Sequence, residues 1–320
     1  VIGPLMRENV GLAAPRIDRF GREHLLLTEQ PSRYVERGMA VRQSVASEIA
    51  ASELLASLVA SQHDTDHVML VVTEAADAAL EGAFLAKFNE IQRGKWQMPK
   101  DSLRYALLDT IQGDSRSVGR LADHISPYER NVLVSVAGRS ARSMWAALQT
   151  ELQMNDSSDF VLFAHPELAE MPFVEGQLME KWRLTLPRTN QIEWQDTLRW
   201  SGLEDFRVRM ASEPGKYATL AHDALLDAGM RRHPWLNVVQ WANQMVWQAS
   251  EKSGAWVNVS WALKRFSDLQ WMPLDSCDPV PPFVPRMFYT EEDSLIPVPH
   301  KYQHLFPEEY PDALVPHQTP

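Results

Sequence analysis

Cysteine is nearly missing from this chain: Cys277 is the only one in 320 residues. No intrachain disulfide can form, so a disulfide-stapled scaffold is excluded. A reducing setting is expected, cytoplasmic or within a particle assembled in the cell. Long apolar runs are missing as well, and no stretch approaches the roughly 18 residues that a membrane-spanning helix needs. The first twenty residues carry arginines and acids where a signal peptide would carry an apolar centre, so no secretion signal is read there. The chain starts at Val1, which reads as processing, trimming or a start inside a longer chain. Basic residues are outnumbered, 31 Lys and Arg against 42 Asp and Glu, for a net charge of −11. That balance argues against a broad nucleic-acid or anionic-membrane surface and leaves only a local nucleic-acid contact open.

Catalytic motifs are also wanting. There is no GxSxG elbow and no GxxxxGK[ST] loop, and no cofactor is implied. What the chain does have is enough apolar content, 45%, with 23% charged residues, to fold as one large or two smaller domains.

Its most distinctive stretch runs from His233 to Trp271 and holds six of the 11 tryptophans, with no charged residue between Pro234 and Ser250. At helical spacing Trp235, Val238, Val239, Ala242, Met245, Val246 and Ala249 share a face, flanked by Trp241 and Trp247. The remaining polar residues are uncharged amides, so the pattern predicts a helix enclosed on most sides by the fold or by a partner. Residues 255–269 fit either a strand alternation or a helix, and the helix is preferred because Lys264, Arg265 and Asp268 resume a polar side.

Elsewhere helices are expected over residues 39–60, 74–92, 101–113, 117–125, 140–153, 174–184, 203–211 and 217–228. Short buried strands are expected at Val68–Val72, Asn131–Ala137 and Phe160–Ala164, which are continuous apolar runs. Composition divides the chain into an extended N-terminal arm (1–39), a mixed helix and strand region (40–155), a helical Trp-rich region (156–272) and a Pro-rich acidic C-terminal arm (273–320). The last contains 11 of the 21 prolines, eight acids and two bases. Proline forbids regular structure there, yet its aromatic content calls for a surface to dock on. The fold class read from these signs is α+β, predominantly α-helical, with a few short buried strands and extended proline-rich termini.

Candidate sites are few. A strand, Gly138, then Arg139, Ser140 and Arg142 opening a helix make an anion site, since free N–H groups and guanidinium forks converge there. The bland alternative is a capped helix with surface arginines. His63 and His67 in HDTDH, and His300 and His304 in HKYQH, have i,i+4 spacing, but each pair sits in loop-forming sequence without a third ligand, and no metal is assigned. Cys277, beside Asp275 and Asp278, should have a raised pKa and be unreactive. Interface anchors are read at Trp235, Trp241, Trp247, Phe288, Tyr289 and Tyr302. Together these point to a structural subunit of a larger assembly, of shell or capsid type, whose arms clasp copies of itself or other subunits. The alternative is an enzyme using the Gly138–Arg142 turn.

Overall fold

The computed structural model describes residues 1–3, 7–28, 40–63, 66–73, 78–95, 107–112, 121–126, 129–138, 142–155, 158–172, 174–189, 192, 197–236, 238–242, 244–250, 255–281 and 283. It separates into two compact units, each assembled from two distant pieces of chain. The first comprises Val1–Leu54 and Pro187–Lys264, the second Leu55–Leu186 and Arg265–Pro320. The composition boundaries at 39, 155 and 272 fall elsewhere.

The second unit centres on a sheet whose core strands are β3 (His67–Val72), β5 (Asn131–Ser135) and β6 (Phe160–Ala164). Each is a run of β-branched, aromatic and long aliphatic residues without alternation, which suits parallel strands buried on both faces. They pair in parallel, with Val68 opposite Val132 and Leu133 opposite Leu162. β4 (Leu107–Gln112) flanks β3, and β7 (Thr185–Arg188), β10 (Ala262–Ser267) and β11 (Gln270–Pro273) extend the other side, giving the order β11-β10-β7-β6-β5-β3-β4. Helix α4 (Arg142–Met154) buries Met144, Trp145, Leu148 and Leu152 against Met69, Leu133, Phe160 and Leu162. The opposite sheet face is closed as well: Val68, Leu70, Val134 and Phe163 are fully buried. The α2 helix (Glu48–Gln62) is followed by His63, whose ring meets Phe163 edge-on at 5.3 Å.

In the first unit the sheet order is β1 (His24–Leu26), β2 (Val41–Ala46), β9 (Trp256–Asn258), β8 (Trp247–Ala249). Only the β8–β9 pair is antiparallel. A helix, α1 (Arg7–Arg19), sets Val10 beside Leu26 and Val41. Two further helices, α6 (Trp200–Met210) and α7 (Lys216–Arg232), follow the re-entry of the chain at Pro187. Leu220 and Ala224 of α7 join Leu27 and Met245 in a second core.

This architecture corrects the predominantly helical reading: it is α/β, with a four-stranded and a seven-stranded sheet. Three strands were plain because uniform apolar runs leave no helical polar face. Others were hidden. Val41 and Val45 suit a helix by spacing, but they belong to β2, and the helix starts later, where Ser47 Oγ accepts from the Ala50 N–H at 3.4 Å. Leu107 and Leu108 lie on β4 rather than on a helix begun at Asp101. Residues 255–269 form β9 and β10, not a helix. The supposed N-terminal arm contains α1 and β1, and Ile2 bridges to Leu25 beside it.

The largest correction concerns the Trp-rich stretch, which is not a helix from Trp235 to Ala249. α7 ends at Arg232, and the following chain is irregular until β8. Its backbone polar groups are met by charges outside the stretch. Asp223 of α7, 1% exposed, accepts from the Trp241 N–H at 2.7 Å through Oδ1 and from the Ala242 N–H at 2.8 Å through Oδ2. Arg199 Nη1 donates to the carbonyls of the same two residues at 3.1 and 2.8 Å. The Trp241 ring stacks on His222 at 3.7 Å and meets Phe206 edge-on at 5.4 Å. A Cβ on Gly202 would lie 3.1 Å from Trp241 Nε1, so glycine is what lets the indole approach α6.

One helical turn further on, Asp227 accepts from Trp247 Nε1 at 3.0 Å and from Arg231 Nε at 2.8 Å. Arg231 also pairs with Glu23, to which Arg42 Nε donates at 2.6 Å. The Arg42 guanidinium lies 5.1 and 4.9 Å from the centres of Trp247 and Trp256, close enough for cation–π attraction to both. Burial pushes the Glu23 pKa up, but hydrogen bonds and charge from Arg231 and Arg42 outweigh it and hold the carboxyl below its ordinary value of 4.5.

Three outcomes follow. Asp223→Ala strands two backbone donors in the interior and should cost about 3 kcal/mol, read as a lower denaturant midpoint at unchanged m-value. Because Glu23 has a depressed folded pKa, its stabilisation is present above 4.5 and is lost as pH falls through the folded value. The melting-temperature gap between wild type and Glu23→Gln should therefore close under acid; a gap independent of pH would contradict the pairing. Finally, Ala211 ends α6 at φ +50°, a left-handed conformation that glycine adopts freely. Ala211→Gly should stabilise by about 1 kcal/mol, visible as a higher melting temperature.

Candidate ligand-binding site

A parallel sheet exposes different chemistry at its two ends. In the second unit the chain runs from β3 outward to β4, then returns past β3 to β5 and proceeds through β6 to β7. The direction of winding therefore reverses between β3 and β5. Just beyond the carboxyl ends of two such strands, adjacent connections diverge to opposite faces and leave room for a ligand.

The amino ends of these strands are internally satisfied. Asp66, before β3, accepts from His63 Nδ1 at 2.7 Å and lies 3.7 Å from Arg130, before β5. Arg130 Nε donates in turn to Asp159, before β6, at 3.2 Å, and Arg183 reaches the other oxygen of Asp159 at 3.6 Å. Charges there neutralise one another across neighbouring strands.

The carboxyl ends are different. Thr73, after β3, is tied down: its N–H and hydroxyl both donate to Glu81 Oε1, at 2.6 and 2.7 Å. Beside it, Ser135 ends β5 with its carbonyl accepting from the His165 N–H at 2.9 Å. Its hydroxyl is fully buried and meets no hydrogen-bond partner among the described residues. The chain continues through Val136 and Ala137 to Gly138, where a Cβ would stand 3.2 Å from Glu167 Oε2 and 3.3 Å from His165 Cε1. His165 itself is 3% exposed and caps the 3-10 turn Pro166–Glu170, its Nδ1 accepting from the Glu167 N–H at 3.2 Å. With Nδ1 as acceptor, the neutral ring carries its proton on Nε2. The Glu167 carboxylate, partly buried, has no ion-pair or hydrogen-bond partner among the described residues. A buried hydroxyl and an unmatched carboxylate thus gather where the winding reverses.

Of the residues named from sequence, Gly138 stands at this corner and Arg142 opens α4 as an exposed residue, while Arg139 and Ser140 lie outside the described residues. Sequence reasoning found the β5 turn but missed Ser135, His165 and Glu167. HPE after an apolar strand is a capping pattern, and nothing in it says which turn it will face. Among the proposed anchors, Trp241 is 6% exposed and Trp235 76%, with Trp247 between them. Phe288, Tyr289 and Tyr302 lie outside the described residues, as do His300 and His304. His63 and His67 are not on one helix: the first follows α2, the second starts β3 and its Nε2 meets the His124 carbonyl at 2.8 Å. No group of three His, Cys, Asp or Glu residues among the described residues is placed to hold a metal. The Cys277 thiol pKa is raised, first by burial and then by Asp278 and Asp268, against the pull of Arg265. No helix among the described residues is long and apolar enough to cross a membrane.

No family model matches the chain, and no curated protein matches it. Solved structures do. An ABC transporter substrate-binding protein from Desulfitobacterium hafniense, in complex with Leu, matches with a TM-score of 0.55 at 16% identity, covering 86% of this chain and 79% of its own. A putative branched-chain amino acid ABC transporter protein from Rhodospirillum rubrum matches with a TM-score of 0.57 at 9% identity, over 81% and 74%. The C-domain of LpoA from Haemophilus influenzae, a regulator of PBP1A, matches at 0.55 and 12% identity, over 85% and 81%. These likenesses settle the fold as that of substrate-binding proteins and overturn the reading of a shell or capsid-type subunit clasping its own copies. The physical reasons are already in the first unit: the supposed N-terminal arm contributes a strand to its sheet, and Trp241 is spent on its own α7. The enzyme alternative gains nothing from these neighbours either.

Proposed function

We propose that the chain is a solute-binding protein that holds a small molecule, without chemical change, at the carboxyl ends of β5 and β6 in the second unit. The observation that carries this reading is the buried Ser135 hydroxyl left without a partner beside the β5 turn. An unmatched buried hydroxyl costs about 1–3 kcal/mol, and an incoming ligand that hydrogen-bonds it recovers that cost. The doubly wound topology supplies the crevice that such ligands use. The Leu complex of the Desulfitobacterium hafniense protein supports the choice of amino acids as the first probes.

The test separates binding from folding. Ser135→Ala removes a group that has no protein partner among the described residues, so the empty variant should melt at or above the wild-type temperature. In calorimetric titrations against the twenty amino acids, wild type should bind at least one, and Ser135→Ala should bind it at least tenfold more weakly. A variant that binds as wild type does, or a wild type that binds none of the twenty, would sink the proposal.

A further inference from the structure

The same strand ends carry information about the charge of what they hold, and this inference rests on the ligand-holding reading above. We propose that the ligand presents a protonated amine to Glu167. An anion is the obvious rival, because the turn after β5 leads into the amino end of α4, where free N–H groups favour negative charge. Yet the charged atom set against that turn is a carboxylate oxygen. Glu167 Oε2 would stand 3.2 Å from a Cβ on Gly138, and the exposed Arg142 is on the far side of the turn in sequence. An anion seated at Gly138 would face Glu167 at contact distance and be repelled.

Two independent features make this carboxylate more than a surface acid. The first is its isolation. The other carboxylates of the same sheet are matched: Asp66 and Asp159 by Arg130, Glu81 by Thr73. Glu167 is matched by nothing among the described residues. The second is that its position is imposed by the backbone. Its own N–H is held by His165 Nδ1, and the His165 N–H by the Ser135 carbonyl, so the 3-10 turn is fixed to the end of β5. An ammonium group at that point gains a charge-assisted hydrogen bond from Glu167, and its remaining N–H donors match the unpartnered Ser135 oxygen. Gly138 keeps the space in which that group sits free of a Cβ.

Matched triads of probes decide the matter: each amino acid, the primary amine left after removing its carboxylate, and the acid left after removing its amine. Calorimetric titrations of wild type and Glu167→Gln are compared at neutral pH. For whichever triad binds, the amine should keep measurable affinity and the deaminated acid should lose it. Glu167→Gln should weaken the amine and the parent amino acid at least tenfold. If the deaminated acid binds as well as its parent and Glu167→Gln changes nothing, the amine assignment is overturned. The ligand-holding reading then still stands wherever Ser135→Ala weakens that same probe. If inorganic phosphate or the deaminated acids bind and Glu167→Gln strengthens them, the corner is an anion site and the assignment falls. Glu167→Asp, which keeps the charge on a shorter stem, should restore part of the amine affinity; failure to do so alongside a normal melting temperature would also count against it.

Discussion

Everything distinctive about the first unit depends on the need to give a charge-free loop its hydrogen bonds. Backbone N–H and C=O groups leave water only when something else meets them. The segment after α7 has no charged side chain of its own, and it forms no helix that would satisfy those groups internally. Asp223 and Arg199 therefore supply an acceptor pair and a donor to the same two residues, one below the chain and one above. Trp241 is set by that clamp, and its ring is then enclosed by His222, Phe206 and the open face of Gly202. Asp227 repeats the device for Trp247, whose indole in turn covers Arg42 and Arg231.

This is also where the sequence misled most instructively. The lack of charge between Pro234 and Ser250 is a real signal of enclosure, and enclosure is what the fold provides for Trp241, Ala242 and Met245. Helical periodicity is a weaker signal, because three or four apolar residues in a row of amides will satisfy it by chance. The deciding partners, Asp223 and Arg199, are 18 and 42 residues from Trp241. No local pattern reports them. The parallel strands β3, β5 and β6 were legible for the opposite reason: burial on both faces removes polar residues from the run itself, so the run announces its environment. Strands at the margins, such as β4 and β9, carry mixed faces and passed for helix.

The second unit divides its labour between the two ends of one sheet. At the amino ends, acids and arginines of successive strands neutralise one another. At the carboxyl ends, Ser135 and Glu167 are left over. Stability alone would favour pairing or removing them. The turn at Gly138 was visible in the sequence as a glycine after a strand, but the sign of the charge facing it was not. That sign is set by the 3-10 turn after β6, brought alongside by the pairing of Ser135 with Ala164.

The discontinuity of the units also fixes an order of events at the ribosome. Ser44, on β2, takes its hydrogen bond from Asn258, 214 residues later. While the intervening chain is being made, β2 has β1 on one side and an unpaired edge on the other. Strands β3 to β7, by contrast, are all synthesised within residues 67–188. The sheet that carries the ligand corner can therefore be complete before the four-stranded sheet has its central strand, and β2 is the edge that must stay soluble in the meantime.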